Sequence, residues 1–433
     1  MRSLPTLALT ASVGVMGLAL APAASAASAA SPDGSVAYLA AQLETGGNRL
    51  VTESGGQSFD DLGLTIDAVL GMSAAGTGGD ASSAATDYLV AHAGTYYGAG
   101  SEVYSAATAK LLTFASARGL NPRDVGGTDL VTKLQSLEQA NGQFTDQSEY
   151  GDYSNTLGQS FGIIGLKRAG TNPSPASVDF LLAQQCDDGG FSLEFKDDCV
   201  SDPDSTSLAV QALDTVGGHD AAVQDAADYL ESRQDGSGGV GGGATTEGAN
   251  ANSTGLAAVA FRLAGRDGAH TEALGYLDTL TFGCDTPKLA GAVAYNTSDF
   301  DAAVAKGESA APDGTITRST AQALLGRTDQ SYATVTSDGQ TAATPTTDCA
   351  APTPGGDSDG SDDGSTDEPT DSSTTPSGGS SSDAPAARPE IPAVVQTDGV
   401  STGVPAWFLA FGAAGIASGL TLVARRRGAE QRN

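Results

Sequence analysis

The stretch that decides the fold is Ala183–Phe195, AQQCDDGGFSLEF, together with Asp204–Leu213, DSTSLAVQAL, a few residues later. The first string is rich in glycine and aspartate, which favour turns. The second starts with short oxygen-bearing side chains and continues as an apolar run, as a capped helix does. Just upstream, Val178, Leu181 and Leu182 follow the i, i+3, i+4 spacing of another helix. The stretch therefore predicts a helix, a glycine loop and a second helix.

This unit recurs along the chain at intervals of roughly four dozen residues. Four further strings share the small or polar start, the apolar run and the terminal glycine of its second helix: DDLGLTIDAVLGMSAAG, VYSAATAKLLTFASARG, DYSNTLGQSFGIIGLKRAG and NANSTGLAAVAFRLAG. The five copies end at Gly76, Gly119, Gly170, Gly217 and Gly265. A sixth, weaker copy starts near Ser319. Repeats of this kind indicate supersecondary units that bury their core only by packing on one another.

The two helices of each unit differ in character. The first has one apolar stripe with polar residues opposite, which is typical of an outer helix. The second is apolar or small nearly all round, with Leu208, Ala212 and Val216 on one face and Ala209 and Leu213 on another. Such a helix is enclosed by neighbours. The terminal glycines would supply the left-handed residue that ends a helix, and because no strand periodicity is sustained, the sequence predicts an all-α domain.

The Gln-x-x-Asp-Gly-Gly-Phe run within Ala183–Phe195 resembles the repeat of the α/α-toroid superfamily. That superfamily includes triterpene cyclases, protein prenyltransferase β subunits, the thioester domains of complement-like proteins and the helical domain of cobalamin carriers. The resemblance covers roughly residues 35–330 and is strongest at 170–265. It implies an (α/α)6 barrel, whose inner helices surround a central cavity with a mouth formed by the loops and inner-helix ends.

The enzymatic branches of the superfamily require particular residues. The cyclases use a D-x-D-D motif, which survives here as Asp202 and Asp204 with Ser205 in the last position. Aromatic residues make up only 6% of the chain, so few π faces exist to stabilise carbocations. Helix capping is the alternative role of Asp204, Ser205 and Thr206, and we favour it. Asp202 and Asp204 remain the candidate acids of a degenerate terpenoid cyclase.

Metal and thioester chemistry are not expected. A prenyltransferase zinc site needs Asp, Cys and His ligands, but the three histidines, His92, His219 and His270, are scattered without ligand spacing. The thioester branch requires G-C-G-E-Q, and the nearest string is GCDT at 283–286. We therefore expect no metal and no cofactor, and the sequence favours a non-catalytic role.

A binding site would lie where the inner helices start. The candidate lining residues are Asp61, Tyr104, Asp152, Tyr153, Asp202, Asp204 and Asn252. Capping and loop solvation are the alternative role of each. The sequence thus favours a module that binds a small molecule, a glycan or an envelope protein. An exported terpenoid-cyclase or prenyltransferase-like enzyme is the alternative, and a structural surface protein using loops such as Gly236–Gly243 is a third possibility.

Four cysteines in an exported chain predict two disulfides. Three pairings are possible. We expect Cys186–Cys199, because the two residues flank one glycine loop, and closing it would contribute about 3 kcal/mol. That leaves Cys284–Cys349, which would pin the end of the last repeat to the base of the toroid. Free thiols are the alternative.

Both ends of the chain carry targeting features. Residues 1–26 contain an early arginine, an apolar run and a small-x-small site, which is typical of a secretory signal peptide. Residues 404–424 form an apolar stretch that can cross a bilayer at about 1.5 Å per residue. The arginines of the tail, 425–433, would stay in the cytoplasm. This topology places the toroid domain, 27–340, outside the cell and anchors it in the membrane.

Between the toroid and the span, residues 341–403 are rich in Ser, Thr, Pro, Gly and Asp. Such a segment cannot bury enough apolar surface to fold, so we expect a disordered stalk. The stalk, span and tail resemble the cell-wall sorting region of Gram-positive surface proteins. The nearest pentapeptide, VVQTD at 394–398, lacks the Leu and Gly of an LPxTG-type motif, so processing by a sortase stays open.

The charge balance excludes one class of partner. The chain carries 21 Lys and Arg against 52 Asp and Glu, a net charge of −31. Binding to DNA or RNA depends on Lys and Arg neutralising phosphates. We therefore expect no nucleic-acid partner.

Overall fold

The computed structural model describes residues 28–54, 57–98, 100–243, 248–347 and 349. The predicted signal peptide (1–26), transmembrane segment (404–424) and basic tail (425–433) lie outside the described residues, as does all of the predicted stalk (341–403) except its first residues. Within the described ranges, no helix is both long enough and apolar enough to span a membrane.

The described residues form a mostly helical domain, which confirms the predicted fold class at that level. Its helices are α1 (Pro32–Thr45), α2 (Leu62–Ala75), α3 (Gly79–Ala91), α4 (Ala93–Tyr97), α5 (Ser105–Ala117), α6 (Leu130–Ser136), α7 (Thr156–Arg168), α8 (Pro175–Leu182), α9 (Pro203–Val216), α10 (Asp220–Arg233), α11 (Ala251–Leu263), α12 (Asp267–Thr279), α13 (Thr297–Val304) and α14 (Gly314–Gly326), with a 3-10 turn at Gly307–Ser309. Four short strands are added: β1 (Val51–Ser54), β2 (Gln57–Asp60), β3 (Phe191–Ser192) and β4 (Ser201–Asp202).

The strands form two antiparallel pairs, β1 with β2 and β3 with β4. Each pair lies in the loop before an inner helix, β1 and β2 before α2 and β3 and β4 before α9. These strands were not predicted from the sequence, because two to four residues are too few to show an alternating pattern.

Six helices form a closed inner ring: α2, α5, α7, α9, α11 and α14. Each packs on the next, and α14 returns to α2. Five of them are the predicted second helices of the repeats, and the sixth copy is α14, which begins several residues before the predicted start at Ser319. Nearly every residue along these helices is buried, as their lack of a polar face indicates.

The outer layer consists of α3, α6, α8, α10 and α12, which pack on α2, α5, α7, α9 and α11, respectively. Each outer helix thus packs on the inner helix that precedes it in the chain. The remaining position, beside α14, is filled by α1 from the start of the domain, which also contacts α2. The two ends of the repeat array therefore meet, and the predicted ring of six helical hairpins is confirmed as a fold.

The glycine loops fit this ring because their backbone approaches the next outer helix closely. Gly189 has φ +88°, and a Cβ added there would lie 2.3 Å from the carbonyl oxygen of Asp225 in α10. Gly291 has φ +85°, and its added Cβ would lie 2.1 Å from the carbonyl oxygen of Gly34 in α1. Only glycine satisfies both constraints. The second contact repeats the geometry of the first at the seam where the ring closes.

In four of the six inner helices, a threonine near the start of the helix fastens the preceding loop to it. Thr206 accepts the N–H of Phe191 at 2.8 Å, and Thr254 accepts that of Val240 at 2.8 Å. Thr65 and Thr320 make equivalent bonds in α2 and α14. These bonds satisfy loop N–H groups that are buried away from water.

Both predicted disulfides are confirmed. Cys186 and Cys199 have Cα atoms 5.6 Å apart, and Cys284 and Cys349 have Cα atoms 5.0 Å apart. Two disulfides are consistent with an extracellular location. Cys284 lies in the loop after α12, so the second bond joins the end of the described chain to the last repeat.

After α14 the chain passes across the C-terminal ends of the inner helices. We call residues 328–343 the strap. Arg262 in α11 donates to its Gln330 carbonyl at 3.0 Å, and Thr341 donates to the carbonyl of Gly76 at the end of α2 at 2.9 Å. Contact with the ring thus continues past residue 340.

Candidate functional site

The inner helices all start on the face opposite the strap, which we call the mouth. The N-terminal residues of these helices carry side chains that accept backbone N–H groups three residues further on. The capping residues are Asp61, Asn155, Asp202, Asn250 and Asp313. Short polar residues at the repeat starts therefore serve the fold first, and any binding role is added to that.

Helix α5 is capped differently. It starts after Tyr104, whose side chain makes no capping bond. The carboxylate of Asp146 takes over, accepting the N–H of Ser105 at 2.7 Å and its hydroxyl at 2.8 Å. The same carboxylate accepts the N–H of Tyr153 at 3.1 Å. Burial, followed by the charge of Asp152, raises the pKa of Asp146 despite these donors.

Three predicted residues, Tyr104, Asp152 and Tyr153, are brought together around Asp146. Asp152 accepts the N–H of Asp146 at 3.0 Å, and the Tyr153 hydroxyl donates to the Tyr150 carbonyl at 2.9 Å. Tyr153 is 50% exposed, which is rare for a large apolar side chain among the described residues. Burial raises the pKa of Tyr104. Asp146 was not among the predicted residues. The signal for it in the sequence is that Tyr104 cannot cap a helix, so the group that accepts the N–H of Ser105 has to come from elsewhere in the chain.

Asp61 belongs to a second sector of the mouth. It caps α2 through the N–H of Leu64 at 2.9 Å, accepts the Thr52 hydroxyl at 2.9 Å and forms an ion pair of 2.6 Å with Arg318 of α14. Burial acts to raise the pKa of this carboxyl, but the arginine and the hydrogen-bond donors hold it below its usual value. Asp61 therefore links the first and last inner helices, α2 and α14.

The third sector contains Asp202, Asp204 and Asn252. The predicted capping role of Asp204 is wrong: Asp202 caps α9 by accepting the N–H of Ser205 at 2.9 Å, and Asp204 lies inside the first turn. Their exposed fractions are 3% for Asp202, 2% for Asp204 and 1% for Asn252. Burial first, and then the charge of Asp204, raises the pKa of Asp202 to about 6.

The centre of the ring is filled by side chains. One residue from each inner helix lines it, and the Tyr332 side chain enters from the face covered by the strap. The lining residues are Asp67, Lys110, Phe161, Leu208, Leu256 and Gln322. The space left between them is about 10 Å³, enough for one water molecule. The predicted central cavity is therefore not an open chamber.

Two charged residues meet in this filled centre. The Lys110 ammonium lies 2.6 Å from a carboxylate oxygen of Asp67, and each side chain is 5% exposed. Lys110 also lies 5.9 Å above the centre of the Phe161 ring, close enough for a cation–π contribution. This pair was not predicted, although each residue is the single charge within an apolar inner helix, and such charges require a partner.

In the part of the chain that the structure describes, no three His, Cys, Asp or Glu side chains lie close enough together to hold an ion.

Comparison with known proteins gives likenesses of fold. No protein-family model matches the chain, and no curated protein matches it. A protein from Actinoplanes aligns with a TM-score of 0.49 and 19% identity, over 68% of this chain and 98% of that one. The type II terpene cyclase MstE from Scytonema aligns at 0.47 and 14%, over 68% and 97%. Haptocorrin in complex with Cbi aligns at 0.42 and 13%, over 71% and 68%. At these values the likenesses assign no residue role and no activity.

Proposed function

We propose that the chain is an exported, membrane-anchored and non-catalytic toroid, which binds a partner through the loops of its mouth. The observation that carries the proposal is the filled centre of the ring. Pockets that hold organic ligands measure about 300–1,000 Å³. The space at the ring centre is about 10 Å³, so an isoprenoid has no room there.

The mouth loops offer the alternative surface. Residues 98–104, 138–155 and 185–201 together contain ten Asp and Glu residues against one lysine, Lys196. A surface of one sign selects partners of the opposite sign and speeds their association. Tyr153 adds a half-exposed ring to the same loops. These features favour a protein partner with a basic surface over a small molecule held in the ring.

The location is part of the proposal. The two disulfides are consistent with an extracellular domain. The sequence features of a signal peptide and of an apolar span followed by arginines support export and anchoring. Attachment would present the mouth to other molecules of the envelope.

One observation favours the enzyme alternative. Asp202 holds a proton more tightly than an ordinary aspartate, since its pKa is raised to about 6, and Asp204 lies beside it. A degenerate cyclase would use these two acids. The filled centre gives such an acid no enclosed substrate, so the binding role is the better supported of the two.

A cross-linking experiment with the full chain in envelope membranes tests the proposal. Wild type is compared with Glu149→Gln/Asp198→Asn, which removes two exposed charges from the mouth, and with Asp87→Asn/Asp220→Asn, which removes two from the outer helices. We expect the mouth variant to lose a cross-linked partner at moderate salt, and the control variant to retain it.

Two results would contradict the proposal. Equal cross-linking by both variants would show that the partner does not bind through the mouth. Turnover of a polyprenyl substrate by wild type, lost in Asp204→Asn with the fold retained by circular dichroism, would make the chain an enzyme.

A further inference from the structure

We propose that the strap is a latched closure of the ring: the Cys284–Cys349 disulfide makes the ring, not the strap, carry any load applied to the chain after residue 349. The inference concerns the mechanics of the fold and goes beyond the proposed binding role. The proposed membrane anchor would supply such a load, but the latch would exist even if the mouth bound nothing.

The strap is held by polar contacts to the ends of inner helices and by two buried side chains, Tyr332 and Val335. Arg168, the last residue of α7, donates to the carbonyls of Tyr332 at 3.0 Å and Val335 at 2.6 Å. Arg118, after the end of α5, donates to the side chain of Gln340 at 2.8 Å. These bonds suit the helix ends, where backbone carbonyls favour positive charge. They are individually modest, so a pull along the strap would break them one after another.

One side chain of the strap closes the ring. Tyr332 is 6% exposed, and its ring meets that of Phe161 edge-on with centroids 4.9 Å apart. Its backbone N–H donates to the side chain of Gln211 in α9 at 3.0 Å. If the strap peeled away, this aromatic plug would leave, and water would reach the buried pair of Asp67 and Lys110. Keeping the strap in place therefore protects the core of the ring.

The disulfide transfers the load from the strap to the loop that contains Cys284. A pull on the chain beyond Cys349 passes through the S–S bond to Cys284, in the loop after α12. The two cysteines stand 65 positions apart, and the segment between them, which includes the strap, lies in a covalent loop and bears no tension. Without the bond, the same pull would act first on the strap, because it is the last part of the fold before the tether.

Single-molecule pulling on the full chain, with handles at both ends, tests this. For Cys284→Ser/Cys349→Ser we expect an early, low-force extension of at most about 56 Å, since the strap residues, 328–343, would extend by about 3.5 Å each. Oxidised wild type should lack this step. The matched control is Cys186→Ser/Cys199→Ser, which removes the disulfide that does not enclose the strap, and it should behave as wild type.

The outcomes separate the proposal from its alternatives. Unfolding of the double variant in one step would overturn it, because the strap would then not be a separable closure. An early step much longer than about 56 Å would also overturn it, since α14 would be released together with the strap. If the double variant fails to fold, the Cys186→Ser/Cys199→Ser chain is folded oxidised and reduced in the instrument, and the early step should then appear.

Discussion

Asp67 of α2 and Lys110 of α5 form an ion pair at the centre of the ring, with 2.6 Å between the ammonium and carboxylate and only 5% of each side chain exposed. The two helices are neighbours in the ring, yet they are joined by fewer contacts than the other neighbouring pairs. The pair therefore links the ring at its most sparsely packed junction, and it does so where water does not compete.

Replacing one partner of this pair should destabilise the domain strongly. Lys110→Met leaves Asp67 as an uncompensated buried charge, and such single replacements cost about 3–5 kcal/mol. Lys110→Met/Asp67→Leu removes both charges and should restore much of the loss. Chemical denaturation followed by circular dichroism measures both. A double variant no more stable than the single one would show that the charges are not coupled.

Gly189 should tolerate substitution by alanine less well than Gly170, which has a similar backbone conformation but open space around it. Gly189→Ala meets both a φ of +88° and a clash at 2.3 Å with the Asp225 carbonyl oxygen. Gly170→Ala meets a φ of +71° with nothing within 4 Å. We expect the control to lose about 1 kcal/mol, as left-handed backbone demands, and Gly189→Ala to lose clearly more. Equal losses of stability in thermal denaturation would mean that the loop shifts enough to relieve the clash with Asp225.

The sequence predicted the parts of the fold that repeat. The apolar runs identified the inner helices, their glycines identified the helix ends, and Gly76, Gly119, Gly170 and Gly265 have φ between 66° and 74°. The disulfide pairing followed from the position of Cys186 and Cys199 around one loop. These features are local or periodic, so a single sequence reveals them.

The parts that the sequence did not predict depend on contacts between distant positions. Asp146 caps a helix 41 residues away, and Tyr332 fills a ring whose wall is built from all six repeats. Neither residue lies in a repeated pattern. The sequence shows that Arg168 is a basic residue near the end of a helix. Its partner, the Tyr332 carbonyl, is known only once the path of the strap is known.

Tyr332 should contribute to stability as a plug. Tyr332→Ala would leave a void beside Phe161 and Asp67, and large-to-small changes at buried aromatic positions cost about 3–5 kcal/mol. Tyr332→Phe keeps the ring and should cost much less. Urea denaturation of the two variants compares them. Similar losses would assign the effect to the hydroxyl group instead of the aromatic ring.

Asp202 should make the domain less stable as the pH rises from about 4 to 6. Its folded pKa is raised to about 6, so the folded state binds this proton more tightly than the unfolded chain, where an aspartate titrates near 3.9. The stabilisation is fully present below the unfolded pKa and is lost as the pH passes through the folded one. A difference of about two pKa units corresponds to about 3 kcal/mol.

Asp202→Asn isolates this contribution, because the amide oxygen can still accept the Ser205 N–H that caps α9. Other carboxyls titrate in the same range, and the pKa of Asp61 is lowered, which acts in the opposite direction. The difference in unfolding free energy between variant and wild type cancels those shared groups. Measured at pH 4 and pH 7, that difference should shift in favour of the variant by about 2 kcal/mol at the higher pH, because pH 4 already lies at the unfolded pKa. A difference independent of pH would mean that Asp202 titrates as an ordinary aspartate, and that neither burial nor Asp204 perturbs it.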